Sequence, residues 1–490
     1  MAYIKRMADD LTNGSCLWLV RSSSPQHFVL FLTACGGGSG STGGGTGGGG
    51  GTTPPPSTAN EWTWVSGGNS SATAGAVYGT QGVAAASNTP GARLSAAGWT
   101  DSSGNLWLFG GSGYVNSTTV GDLNDLWEFN ITTKEWTWVS GENTVNNQGT
   151  WGTQGVASTS YVPGGLEGAV GWTDSTGDLW LFGGGGHGDS SDGDGLNDLW
   201  EFNPATKAWT WVSGSNTAKP PGVYGTQGVA ATGNTPGGRA YATAWTDSSG
   251  NFWLFGGYGK DSTGTFSYLN DLWEFSPTTK EWTSIGGSNT ANAQGVYGTQ
   301  GVAAASDVPG AREDAVSWTD SSGKFWLFGG SNGSGNSGGA GGLLNDLWEF
   351  NPSTKEWTWV SGSNAINAAG IYGTQGAAAP SNVPGAREYA VGWRDSSGNL
   401  WLYGGEGFVS TTVGGLGDLW EFSPTTKQWT WVGGLNVLTP PAVFGTEGTA
   451  ATGNTPGYME GAFSWTDNSD NFWLFGGGSA SLNGLWRYQP

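Results

Sequence analysis

Six near-copies of one hexapeptide decide what this chain can become. "LWLFGG" at 106–111 returns as "LWLFGG" at 179–184, "FWLFGG" at 252–257, "FWLFGG" at 325–330, "LWLYGG" at 400–405 and "FWLFGG" at 472–477, in steps of 73, 73, 73, 75 and 72 residues. A long constant period means one supersecondary unit used repeatedly, each too small to bury its own apolar face. The unit holds four strand-like runs, which in the first copy are 94–100, 105–110, 123–130 and 135–140. Aromatic and β-branched residues fill these runs and turn residues bound them. "TDSSGN" at 100–105 predicts a hairpin turn in which Asp101 caps its own backbone and Gly104 takes positive φ. No stretch of the repeats carries a helical period. Four strands in each of six units predict an all-β fold, a six-bladed β-propeller.

The ends of the repeat array predict how the ring closes. The last unit stops at "LWRYQP", with Tyr488 in its aromatic position and no Trp after it. An orphan "EWTWVS" stands at 61–66, ahead of the first unit. It matches the fourth run of the other units, so it is expected to complete the last blade, with Trp62 as the partner that Tyr488 lacks. Closure by strands from both ends leaves no bare sheet edge at the seam.

A second pattern lies inside the period. Gly110-Gly111 is followed by Phe129, and six residues separate Phe129 from Trp136; the pairing recurs as Phe202/Trp209, Phe275/Trp282, Phe350/Trp357 and Phe422/Trp429. This resembles the kelch repeat, over about residues 60–490. The resemblance implies a kelch-type propeller. It also implies a partner-binding face, onto which open the links between strands two and three and those from strand four to the next strand one. It does not imply one activity, because a fold hosts many functions. Kelch copper oxidases of the galactose oxidase type need a Cys–Tyr crosslink and His ligands. After residue 60 this chain has no Cys and a single His, His187, so that chemistry is excluded on inventory. A Ser-His-Asp relay is equally hard to build. A binding module for a protein or a glycan is the favoured reading. The alternative is a carbohydrate-active enzyme, an isomerase or hydrolase, with Arg93, Arg239, Glu313, Glu388 and Glu460 as the groups to test. No cofactor is expected.

Composition narrows the partners. Net charge is −21 and charged residues are only 11% of the chain, so a phosphate backbone is repelled and no nucleic-acid partner is expected. Aromatic residues are 13%, unlike acidic chains that stay disordered. The organisation expected is a leader at 1–35, a Gly/Ser/Pro-rich linker at 36–60 and a monomeric propeller at 61–490. "FVLFLTAC" at 28–35 ends in Leu32-Thr33-Ala34-Cys35, which looks like a bacterial lipobox with Cys35 as the lipidated residue. The Gly-rich stretch after it then acts as a flexible tether on an extracytoplasmic, membrane-anchored protein.

The candidate site residues follow from where the repeats agree and where they differ. An aromatic-Gly-Thr-Gln/Glu-Gly segment recurs six times, with Tyr78, Trp151, Tyr224, Tyr297, Tyr372 and Phe444 as the aromatic. What every blade repeats serves what every blade must do, so these aromatics are read as packing plugs and Gln81 as a partner for backbone groups. The other reading is a sugar subsite used six times. The Asp of "NDLW" (Asp125, Asp198, Asp271, Asp346) is expected to cap turns. The strand two to three links differ in every unit, and offer Tyr114, His187, Lys260, Phe266, Tyr268, Glu406 and Phe408; of these Tyr114, Tyr268 and Phe408 are the ligand-binding candidates. Arg93, Arg239, Arg312 and Arg387 form a broken ring, with Leu166 and Met459 in the other two units, and are candidates for holding an anionic ligand by bidentate hydrogen bonds. Asp189, Asp192 and Asp194 only loosely resemble a calcium loop, lacking the downstream Glu, and no metal ligand is assigned.

Overall fold

The computed structural model describes residues 15–21, 28–34, 59–69, 75–187, 195–333, 342–478 and 483–490. Ser15–Arg21 and Phe28–Ala34 pair antiparallel as a sheet of their own. Cys35 and the acidic stretch 188–194 lie outside the described residues. No described helix is long and apolar enough to cross a membrane. The described body is strand and turn, in antiparallel sheets, the architecture that the kelch resemblance implies.

Each unit builds one sheet in the order of its strands. In the first, Ala97–Thr100, Leu106–Phe109, Leu126–Asn130 and Glu135–Ser140 pair in turn. The first strand alternates, with Ala97 and Trp99 buried between more open Gly98 and Thr100. The second is buried along its whole length, as a strand covered on both faces must be. The predicted first run, 94–100, is broken in two: Ser95 takes φ 52° and separates Arg93–Leu94 from Ala97–Thr100. Arg93–Leu94 pairs instead with Ser112–Tyr114, at the start of the strand two to three link.

In the last unit Leu485–Gln489 has Glu61–Ser66 as its outer neighbour, with Trp62 opposite Tyr488. The link before each unit then folds back on that unit's outer strand. Gly82 N donates to Trp138 O and Asn88 Nδ2 to Trp136 O; Gly448 N and Asn454 Nδ2 make the same bonds to Trp64 O and Trp62 O. The link therefore covers an edge that would otherwise be bare.

Neighbouring units are locked by tryptophan. Trp99, Trp245, Trp318 and Trp393 each donate Nε1 to a carbonyl on the second strand of the next unit, at 3.0–3.2 Å. Trp465 of the last unit donates to Trp107 O of the first, at 3.0 Å. The apolar core runs between units in the same way: one cluster joins Trp465, Trp473 and Phe475 to Leu106, Trp127 and Trp136. Burying a Trp side chain is worth roughly 4–6 kcal/mol before chain entropy is counted. The Gly-Gly doublet serves this contact. Gly110 has φ 66°, and a Cβ there would sit 2.8 Å from Leu166 O of the next unit.

Candidate functional site

The first strands border a space that is wide at one end and narrow at the other. The wide end, about 850 Å³, is lined by Trp99, Trp172, Trp245, Trp318 and the turns that follow them. The narrow end, about 150 Å³, lies where the two loop families open, and is lined by a dipeptide from each unit: Ser95-Ala96, Gly168-Ala169, Tyr241-Ala242, Asp314-Ala315, Tyr389-Ala390 and Gly461-Ala462. The alanine is invariant because six backbones converge there. The residue before it always has positive φ, including 58° at Tyr241, 52° at Asp314 and 58° at Tyr389. A bulky residue held in that region is uncommon and costs on the order of 1 kcal/mol or more.

One position earlier the units read Leu94, Glu167, Ala240, Glu313, Glu388 and Glu460. The short ladder beside the break fixes what each faces: Glu388 lies opposite Glu406, and Glu313 opposite Ser331. Carboxylate oxygens of Glu313, Asp314 and Glu388 all lie within 4.8 Å of one another. Hydroxyl side chains stand beside the three carboxylates: Tyr389 interacts with Asp314, Ser331 with Glu388, and Tyr268 is a neighbour of Glu313. Tyr241 bonds to Glu167 and meets Tyr389 edge to face, centroids 6.2 Å apart.

These groups hold protons tightly. Burial, then the charge of Glu388, pushes Glu313 well above the usual carboxylate range, and burial with Glu313 does the same to Asp314. Burial, with Glu406 and Glu460 beside it, pushes Glu388 up to about 8; burial and Glu406 push Glu460 up to about 8. Nearby, burial and then Glu167 raise Asp122 to about 8, with His187 Nε2 at 3.5 Å from its Oδ2. Glu388 is 4% exposed, and its Oε2 is buried with no hydrogen-bond partner; Asp314 Oδ2 is in the same condition. Such a cluster can hold a cation or keep protons near neutrality.

The structure corrects the arginine expectation. Arg93, Arg239, Arg312 and Arg387 do not meet at a mouth. Each is buried and forms a two-pronged pair with the Asp of its own unit: Asp125, Asp271, Asp346 and Asp418, at 2.7–2.9 Å. That Asp is a pairing residue and not a turn cap. It also accepts the hydroxyl of the repeated tyrosine, Tyr78, Tyr224, Tyr297 or Tyr372, at 2.6–2.9 Å, and a Trp Nε1 two residues on. The repeated aromatics are therefore packing plugs, bound within the unit they precede. The turn Asp does cap, as Asp101 accepts Ser103 N and Asn105 N. Gln227 Nε2 bonds a backbone carbonyl, Ile285 O, at 2.7 Å.

The loop candidates divide. Tyr268 is buried against Tyr258 and Phe266 and is a neighbour of Glu313, so it reaches the acidic cluster but is no exposed platform. Phe408 is buried with Leu343 and Ala386, a core position. Tyr114 is half-buried. Glu313, Glu388 and Glu460 do belong to the axial end. Sequence reasoning missed Asp314, Glu167, Tyr241 and Tyr389. The signal was there: next to an invariant Ala, one position is Glu in four units and the other varies among Ser, Gly, Tyr and Asp.

Residues 226–450 match the family model described as the KLHDC2/KLHL20/DRC7 Kelch-repeats domain. No curated protein matches the chain. The match and the all-strand structure together support a kelch-repeat protein.

Proposed function

We propose that the six sheets are the blades of one closed ring, a kelch-type propeller, and that it works as a protein-interaction module. The pairing of Glu61–Ser66 with the C-terminal strand and the Trp465–Trp107 bond support closure. One observation carries the interaction reading. Among the described residues every exposed large apolar side chain lies in a strand four to strand one link, including Val77, Val83, Val223, Val229, Val296 and Val302. Scattered exposed valines need no explanation, but confinement to one loop family marks a surface that meets something. The strand two to three links, which differ in each unit, supply the discrimination. With a net charge of −21, a basic protein segment associates fastest.

The partner is sought by crosslinking the full chain in its source cells, then measured on purified components. The double variant Val223→Ser/Val229→Ser should weaken the complex without lowering the melting temperature. Unchanged affinity sinks the reading, and binding confined to a glycan array moves the assignment to a sugar ligand. The body acts as a monomer, which sedimentation tests. The leader at 1–35 and linker at 36–60 tether it on an extracytoplasmic membrane face through lipid on Cys35. A fatty-acid analogue should label the chain expressed in a bacterium and fail to label Cys35→Ala; equal labelling removes the anchor.

A further inference from the structure

We propose that Glu313, Asp314 and Glu388 form a divalent-cation site, suited to Ca²⁺, at the narrow end of the central space. Three features carry this, and none depends on what the loops bind. The donor set is all oxygen, the choice of hard cations. The donor atoms lie within 4.8 Å of one another. Ca²⁺ accepts an irregular oxygen shell at about 2.3–2.6 Å, whereas Mg²⁺ demands a near-ideal octahedron at about 2.0–2.1 Å and keeps most of its waters.

The second feature is the buried oxygen that nothing satisfies. Glu388 Oε2 has no hydrogen-bond partner although its residue is 4% exposed, and its carboxylate points into the trio. An unpaired buried acceptor is costly, more so when charged, unless a ligand or proton takes it. No arginine comes to its aid, because all four at the equivalent positions are committed to their own Asp.

The third feature is the shell behind the ligands. Tyr389 and Ser331 interact with Asp314 and Glu388, which is how outer hydroxyls orient metal ligands, and Tyr268 stands beside Glu313. The cavity of about 150 Å³ beside them has room for the waters that complete a coordination sphere. A second acidic trio, Asp174, Asp178 and Glu201, lacks these properties. It is more open, Asp174 is taken up in capping Thr176 N and Asp178 N, and Lys280 stands 3.6 Å from Glu201.

The test is calcium titration of the chelator-treated full chain by calorimetry, with Mg²⁺ as a parallel arm and Tb³⁺ emission sensitised by the adjacent tyrosines as a second readout. One Ca²⁺ per chain is expected, bound more tightly than Mg²⁺. Glu388→Gln should weaken it by at least about the 10–100-fold seen when even an outer-shell group is lost, and Glu201→Gln should change nothing. Protons compete for Glu313, Asp314 and Glu388, and Glu167, Glu406, Glu460, Tyr241, Tyr268 and Tyr389 face the same space; affinity should therefore rise from pH 6 to pH 9. Glu388→Gln removes a crowded charge and should fold. If it does not, Asp314→Asn decides by the same criterion, since Asn tolerates the positive φ of 52° there. No heat and no Tb³⁺ emission up to roughly 10 mM ion, beyond the weakest physiological class, overturns the site. So does Ca²⁺ binding that survives in both variants, which would place the ion elsewhere, for example in the 185–195 loop.

Discussion

Arg239→Met should be among the most damaging single changes in the molecule, and a second change should repair most of it. Arg239 Nη1 and Nη2 bond Asp271 Oδ1 and Oδ2 at 2.7 and 2.8 Å, Nη1 also bonds Gly256 O at 2.8 Å, and Nε bonds Gly237 O at 3.1 Å. Arg239 is 1% exposed and Asp271 fully buried. Removing the arginine leaves Tyr224 and Trp273, which both bond Oδ2, as the only donors to a buried charge. Breaking a buried pair from one side costs about 3–5 kcal/mol, while replacing both partners with uncharged groups is often close to neutral. Arg239→Met/Asp271→Asn should then cost only about 1–2 kcal/mol, well below the sum of the two single variants. Two units already live without the pair. Where Leu166 and Met459 replace Arg, Trp151 and Phe444 replace Tyr, and the last unit has Gly484 in place of Asp. The assay is urea unfolding of wild type, both single variants and the double, followed by tryptophan fluorescence. A single-variant cost under about 1 kcal/mol, or costs that simply add, would refute the account.

Three further outcomes are expected. Asp198 lacks an arginine, and burial pushes it up to about 7. A raised folded pKa gives stability that is complete below about pH 4 and lost as pH rises through about 7, so Asp198→Asn should lose less stability between pH 5 and 8, by up to about 3 kcal/mol; parallel pH profiles would count against it. Glu388 follows the same sign, its loss running from about pH 4 and complete by about pH 8, so Glu388→Gln should be more stable than wild type at pH 9 in calcium-free buffer and equal to it at pH 4. Trp62 packs on Tyr403 and Tyr488 at 5.2 and 5.0 Å between centroids. Trp62→Ala should cost about 3–5 kcal/mol, and deleting 55–66 should lower the melting temperature sharply; an unchanged melt would sink the view that this strand completes the last sheet.

How much was legible follows from where each signal lives. The units and their strands were readable because a period of 73 residues and the hairpin "TDSSGN" act locally. The outer strand 61–66 was readable because its match to 135–140 is nearly letter for letter. The direction of Arg239 was not, since a residue type does not say which carboxylate it meets 32 positions on. Comparing units would have helped, because the Tyr and the Arg occur together or fail together. The acidic trio was the hardest. Glu313 and Glu388 sit one period apart, and only convergence of the first strands brings them within reach. The break at the positive-φ residue, which turns them toward the centre, has no sequence signature at Tyr241 or Tyr389, where Gly would have announced it.

The seam sets an order on assembly. Asn60 N bonds Gln489 O, and Tyr488 bonds Asn60 across 428 positions of chain. Each of the first five sheets is made from one continuous stretch and can form as soon as that stretch exists. The last sheet waits for the two ends of the body to find each other, an encounter whose entropic cost is about 5 kcal/mol for a loop of that length. The outer strand of the last sheet is thus the last piece to arrive and the first to leave, and until it arrives the strand Leu485–Gln489 has a bare edge that another copy of 61–66 could fill. A chain opened instead within the link at 214–238, with its present ends joined, would build all six sheets from continuous stretches and remove that late step.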